Sequence, residues 1–222
     1  MRPGGRAPGL VPSARGRLCS DACDLPDHLP DREEPLLTTP PFEPLLEVVA
    51  RLEAEGIRCA LGGSGLLAAL GLVGTVGDWD LTADAPLERL LPIARDWPFE
   101  TAGSSGVHAD AKLMFPALSV EVIARFAFLG PAGVIHIPTL ESGRWRGVPL
   151  GSPEAWLAAY HLLERPAKRD LLLGHLRTHG HDPGVVEALL AEPLPADLAG
   201  MLVSLRGPGH DCDGGEATSS LT

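Results

Sequence analysis

The chain has 222 residues, of which 45 % are hydrophobic, with a formal net charge of −11 from 18 basic and 29 acidic residues. No apolar run approaches the length of a membrane-spanning helix, so we expect a soluble protein with one ordinary core. The acidic balance argues against a broad, non-specific nucleic-acid surface, which needs a basic face. It leaves nucleotides open, because a bound metal can supply positive charge.

Cysteine usage indicates a reducing compartment. The four cysteines, Cys19, Cys23, Cys59 and Cys212, form no disulfide framework, and Cys19 and Cys23 lack a second pair that could complete a metal site. We therefore interpret them as incidental thiols and expect a cytoplasmic location. Lysine occurs only at Lys112 and Lys168, which we interpret as compositional bias towards arginine.

The predicted organisation has four parts. Residues 1–34 are rich in Pro, Gly and Arg without periodicity and are expected to be a disordered extension. Residues 35–150 form the expected α/β core and residues 151–206 a C-terminal helical segment. Residues 207–222 are expected to be a disordered tail.

In chain order, helical spacing predicts a first helix over 43–55, leading into a strand over 57–61. A glycine turn, a helix through 66–72 and a second strand from 78 follow. Asp84 is expected to cap a helix over 87–96. Strand-like runs over 99–102, 107–115 and 118–126 and an edge hairpin formed by 134–137 and 144–148 precede the C-terminal helices. This pattern predicts a small mixed β-sheet flanked by helices.

The stretch from 58 to 83 carries the first chemical signal. Gly62 and Gly63 allow a sharp turn and close approach to a ligand, and the helix starting at Ser64 presents unpaired N–H groups suited to phosphate. Asp78 and Asp80 stand at i and i+2 of the second strand, so both should point to one face. Neighbouring carboxylates repel each other, and a hard divalent cation relieves that repulsion. The alternative is a tight turn followed by two solvated aspartates.

A third carboxylate lies in a later strand. Val120 and Val122 alternate with Glu121, which is costly in an apolar strand unless it faces solvent or a cation. An exposed glutamate on a one-sided strand is the alternative. Asp110, in the neighbouring predicted strand, is a second choice for the third carboxylate.

A second motif opens the C-terminal segment. Ser152 is predicted as an N-cap, with Pro153 in the first turn and Glu154 complementing the helix dipole. The stretch from Arg165 to Asp170 contains Pro166 and, two residues later, Lys168. The histidines at 175, 179 and 181 are interpreted as structural, because His is favoured at a helix C-terminus.

Taken together, Gly63-Ser64, the helix, Asp78-x-Asp80 and the later Ser152-Pro153-Glu154 entry resemble the nucleotidyltransferase superfamily of polymerase-beta-like fold. The similarity is greatest to small bacterial members, namely aminoglycoside adenylyltransferases and toxin–antitoxin nucleotidyltransferases. The third acidic residue of that family is matched by Glu121, although Asp is commoner there.

The resemblance implies Mg²⁺ held by Asp78, Asp80 and Glu121, and phosphates held by Gly62, Gly63, Ser64 and Lys168. It implies transfer of a nucleoside monophosphate, with ATP as the expected donor, to an acceptor hydroxyl. The acceptor is left open as a small molecule, RNA or protein. Two alternatives remain: an inactive binding or regulatory module with this fold, and a toxin–antitoxin component.

Overall fold

The computed structural model describes residues 39–206. The predicted extension over 1–34 and the predicted tail over 207–222 lie outside the described residues. The helices are α1 (Glu43–Ala54), α2 (Gly63–Ala69), α3 (Leu87–Leu90), α4 (Pro153–Leu162), α5 (Pro166–His179), α6 (Pro183–Leu190) and α7 (Ala196–Leu205). The strands are β1 (Cys59–Leu61), β2 (Trp79–Ala83), β3 (Glu100–Ala102), β4 (Ala111–Phe115), β5 (Val120–Ala124), β6 (Ala127–Gly130), β7 (Gly133–His136), β8 (Glu141–Trp145) and β9 (Val148–Gly151).

Seven strands form one mixed sheet in the order β3-β4-β5-β2-β1-β9-β8, and β6 and β7 form a separate hairpin. Two neighbouring pairs are parallel, β2 with β5 and β1 with β9, and the other neighbours are antiparallel. The α/β class and the mixed sheet predicted from the sequence are confirmed.

Each face of the sheet has its own apolar layer. On one face, the buried side of α1 (Leu45, Val48 and Leu52) packs with strand residues such as Trp79 and Leu81. On the other face, Ile123 packs with α2, α4 and the β6–β7 hairpin, and α5, α6 and α7 extend this second layer. Since alternate residues of a strand face opposite sides, Asp80 and Glu121 belong to the second face.

Two local predictions are corrected. The helix expected over 87–96 ends at Leu90 and continues as a 3₁₀ turn over Leu91–Ala94, because Pro92 has no N–H for an α-helical hydrogen bond. The residue preceding α3 is Pro86, and Asp84 provides no side-chain cap.

The predicted edge hairpin is also different. The segment after Gly133 pairs with β6, whereas β8 pairs with β9 around a turn at Arg146 and Gly147. Arg146 and Gly147 both have positive φ, the backbone conformation that a tight hairpin turn requires.

None of the helices within residues 39–206 combines the length and the apolar character that crossing a bilayer requires.

Candidate active site

The predicted site residues meet at one edge of the main sheet. β1 and β9 run parallel and end at this edge, with Gly62 and Ser152 following them. β2 and β5 run in the opposite direction and begin there. Asp80 is the second residue of β2, and Glu121 is the second residue of β5. The topology therefore gathers residues from four strands that are far apart in sequence.

The alternation predicted around Asp80 is observed. Trp79 and Leu81 are 1 % and 0 % exposed within the first core layer. Asp80 lies half-buried on the opposite face, and Asp78 is exposed just before the strand begins. Trp79 is held further by its indole N–H, which donates to the carbonyl oxygen of Pro41 at 3.1 Å. The aromatic anchor thus fixes where the two aspartates emerge.

Asp80 and Glu121 are direct neighbours. They are partners in the parallel register of β2 and β5, so their side chains leave adjacent strands on the same face. Asp78 and Glu121 also line a cavity of about 240 Å³ together with Met114 and Ser119. The three carboxylates predicted from the sequence therefore belong to one neighbourhood.

Glu121 has a partner of its own. Nζ of Lys112, on β4, lies 2.7 Å from Oε1 of Glu121, and both side chains are largely buried. Met114 is the residue directly opposite Glu121, so Lys112 reaches it diagonally across the antiparallel pair.

The electrostatics of Asp80 reflect this crowding. Burial, followed by the negative charges of Asp78 and Glu121, raises the pKa of Asp80 from 3.8 to about 7. The positive charges of Lys112 and Lys168 oppose this rise. A carboxyl group in this setting gains most from an additional cation.

The glycine pair is packed directly against Asp80. The N–H of Gly62 donates to the backbone carbonyl of Asp80 at 2.8 Å. Gly63 has φ of +54°, and a Cβ added to it would lie 1.8 Å from Oδ2 of Asp80. A side chain at this position is therefore excluded both by backbone conformation and by space. Ser64, the next residue, is partly buried in α2.

The C-terminal helices complete the site. A Cβ on Gly62 would overlap the indole of Trp156, which lies on α4. One turn later, the ring of Tyr160 packs 5.6 Å from that of Trp156, and Nζ of Lys168 lies 5.5 Å from the Tyr160 ring centroid. The hydroxyl of Tyr160 is buried and has no hydrogen-bond partner within the described residues. Burial and then the charge of Asp80 raise its pKa.

Ser152 caps α4 as predicted, its Oγ accepting from the N–H of Ala155 at 3.2 Å. Glu154 does more than complement the helix dipole. It is 3 % exposed, accepts the hydroxyl of Ser152, and accepts the N–H of Asp182 at 2.7 Å. Glu154 therefore joins the start of α4 to the start of α6.

Asp110, the second choice for the third carboxylate, lies just before β4 and is 4 % exposed. Its Oδ1 lies 3.6 Å from Nδ1 of His108, outside hydrogen-bond distance. Burial raises its pKa, while His108 and Lys112 lower it.

The predicted cation site suits a hard divalent ion, because its ligands would be carboxylate oxygens whose negative charges repel each other. Within residues 39–206, however, no group of three or more His, Cys, Asp or Glu residues is arranged to hold a metal. The carboxylate of Glu121 is paired instead with the ammonium of Lys112.

The chain is similar to solved structures of nucleotidyltransferases, the class that its motifs resemble. The antibiotic-resistance factor ANT(2'')-Ia is 16 % identical with a TM-score of 0.45, over 67 % of this chain and 89 % of that one. Its complex with adenylyl-2''-tobramycin is 14 % identical with a TM-score of 0.46, over 75 % and 98 %. A candidate nucleotidyltransferase from Thermotoga maritima is 20 % identical with a TM-score of 0.44, over 62 % and 93 %. No family model and no curated protein matches the chain.

Two neighbours of the site were missed in the sequence. Lys112 is found only through the register of β4 and β5, although its rarity in an arginine-rich chain was a signal. Tyr160, the single tyrosine of the chain, lies in no motif that the sequence offers. Its place beside Asp80 depends on how α4 packs on the sheet.

Proposed function

We propose that the protein is a metal-dependent nucleotidyltransferase that moves a nucleoside monophosphate, AMP from ATP in the first instance, to an acceptor hydroxyl. The observation that carries the proposal is the in-register pair Asp80 and Glu121, with Asp78 beside it and Gly63 packed against the Asp80 carboxylate. Such crowding of carboxylates is costly unless a cation is bound, and it lies next to the glycine turn that opens α2.

In this proposal Asp78 and Asp80 hold Mg²⁺, with Glu121 as the third ligand. Bound Mg²⁺ would neutralise charge on the transferred phosphoryl group and lower the pKa of the attacking hydroxyl. The backbone at Gly63 and the hydroxyl of Ser64 would hold the β- and γ-phosphates, because the N–H of Gly62 is already bonded to the carbonyl oxygen of Asp80. Pyrophosphate is the leaving group, and the acceptor oxygen forms the new bond to the α-phosphorus.

Lys168 is proposed as a second contact for the phosphates. It lies on α5, and its charge already acts on Asp80, so it stands within electrostatic reach of any anion bound there. A lysine is suited to this role as a mobile point charge, and its ammonium lies 5.5 Å from the centroid of the Tyr160 ring.

Calorimetric titration of the full chain with a non-hydrolysable ATP analogue, with and without Mg²⁺, tests the proposal. We expect Mg²⁺-dependent binding that is lost in the double variant Asp78→Asn/Asp80→Asn. Asp84→Asn is the matched control, because Asp84 is exposed and lies outside the cluster. If the folded wild-type protein does not bind the ATP analogue, the proposal that it is an enzyme is wrong.

The Lys112–Glu121 ion pair favours one rival, a binding or regulatory module that keeps the fold without catalysis. In that protein the ammonium would permanently replace the metal at Glu121. Nucleotide binding that is indifferent to Mg²⁺, with no transfer of label from α-labelled ATP to any acceptor in a cell extract, would identify the module.

A further inference from the structure

Both lysines of the chain lie near Asp80, on elements that are far apart in sequence. Lys112 is on β4 and Lys168 on α5, and the positive charge of each lowers the pKa of Asp80. The other 16 basic residues are arginines, and none of those within residues 39–206 is among the charges that act on Asp80. The site therefore combines three carboxylates with two ammonium groups.

Lys112 is the more constrained of the two. Its Nζ lies 2.7 Å from Oε1 of Glu121, with 24 % and 19 % of the two side chains exposed. Glu121 faces Asp80 across β2 and β5 and lines the same cavity as Asp78. One carboxylate therefore has two competing uses, an ion pair on one side and a cation site on the other.

The chemistry of lysine suits an exchange between these uses. Its ammonium is a point charge on a flexible stem, so it can change partner without the loss of a bidentate geometry. The pair is not sealed from solvent, and Glu121, the partner of the ammonium, lines the cavity. An arginine at the same place would hold Glu121 through two parallel hydrogen bonds.

We propose that Lys112 is a positioning residue that changes partner when nucleotide binds. Before binding, its ammonium holds Glu121 and keeps the third carboxylate away from the cation. When the metal–nucleotide enters, Glu121 turns to the cation beside Asp80, and the released ammonium pairs with a nucleotide phosphate. The inference rests on the nucleotidyl transfer proposed above.

The exchange predicts that Lys112→Met, which removes the charge and keeps the length of the side chain, changes two affinities in opposite directions. We expect Mn²⁺ alone to bind the variant about fivefold more tightly than wild type, because Glu121 is free and one repulsive charge is gone. The non-hydrolysable ATP analogue at saturating Mn²⁺ should bind about tenfold more weakly, because a phosphate contact is lost.

Electron paramagnetic resonance of free Mn²⁺ at pH 8 measures the first affinity, and calorimetry measures the second, both on the full chain. Lys112→Arg should weaken the binding of Mn²⁺ alone, because the guanidinium holds Glu121 more firmly. Arg89→Met, which removes an exposed cation outside the site, is the control and should change neither affinity. Thermal unfolding monitored by circular dichroism confirms that each variant is folded.

The result that supports the exchange is the opposite sign of the two changes in Lys112→Met. A change of both affinities in the same direction, or of neither, overturns it while leaving the proposed function standing. If wild type binds neither Mn²⁺ nor the metal–nucleotide, the proposed function and the exchange both fail.

Discussion

A Cβ atom on residue 63 would lie 1.8 Å from Oδ2 of Asp80, so the Asp80 carboxylate fills the space that a side chain at Gly63 would need. The contact joins the turn after β1 to the start of β2. It means that the position of the carboxylate depends on the absence of a side chain one strand away.

Gly63→Ala should therefore displace the Asp80 carboxylate and abolish metal-dependent nucleotide binding. Clash and backbone strain together should lower the free energy of unfolding by roughly 2–4 kcal/mol. Gly71→Ala is the matched control, because Gly71 also has positive φ but has open space around its Cβ position. It should cost about 1 kcal/mol and leave binding intact. Urea unfolding and calorimetry on both variants measure the two effects, and equal losses of binding would contradict the steric explanation.

The pKa of Asp80 predicts how stability depends on pH. A carboxyl with a pKa of 3.8 in the unfolded chain and about 7 in the folded chain binds its proton more tightly when folded. Its contribution therefore makes the free energy of unfolding fall as pH rises from about 4 to about 7.

Asp80→Asn removes this titration. Urea unfolding should show that the free energy of unfolding of the variant, relative to that of wild type, is about 2 kcal/mol higher at pH 8 than at pH 5. Asp84→Asn should show no such difference between the two pH values. If the difference in the free energy of unfolding between Asp80→Asn and wild type is the same at both pH values, the pKa of Asp80 is not raised in the folded protein. Saturating Mg²⁺ at pH 8 should stabilise wild type but not the variant.

Tyr160→Phe should stabilise the protein. The hydroxyl of Tyr160 is buried without a partner among the described residues, and its loss leaves the ring packed against Trp156. We expect the free energy of unfolding to rise by about 1 kcal/mol, because an unsatisfied polar group is removed. Tyr160→Leu, which also removes ring volume, should instead destabilise by about 2 kcal/mol. A destabilised Phe variant would mean that the hydroxyl is hydrogen-bonded in solution.

Glu154→Ala should be among the most destabilising changes outside the apolar core. The buried carboxylate accepts hydrogen bonds from Ser152 and from the N–H of Asp182, both of which would lose their partner. We expect a cost of about 3 kcal/mol in thermal or urea unfolding. Glu154→Gln keeps one oxygen acceptor and should cost less. Glu88→Ala, at an exposed glutamate, should stay within about 0.5 kcal/mol of wild type.

Local signals predicted the local parts of this fold. Apolar spacing predicted α1, and Ser152-Pro153 predicted the start of α4, where Oγ of Ser152 accepts from the N–H of Ala155 at 3.2 Å. The alternation around Trp79 placed Asp80 on the face opposite the aromatic core, because a strand allows only two faces.

Pairing between distant segments could not be predicted in the same way. The predicted hairpin ends at residue 148, yet β9 continues to Gly151 and pairs with β1 through Leu61 and Leu150. The neighbours of Asp80 follow from such pairings, and so Lys112 and Tyr160 were not assigned to the site. Strand order depends on the total packing of both faces, which no short motif encodes.

The contact between Gly62 and Trp156 has a consequence for the order of events during synthesis. The glycine turn leaves the ribosome about 90 residues before α4, the helix that packs against it. Until α4 has emerged, β1 lacks its parallel neighbour β9 and the turn lacks the indole behind it. A nascent chain stalled before residue 150 should therefore carry every carboxylate of the site and still be unable to hold a nucleotide.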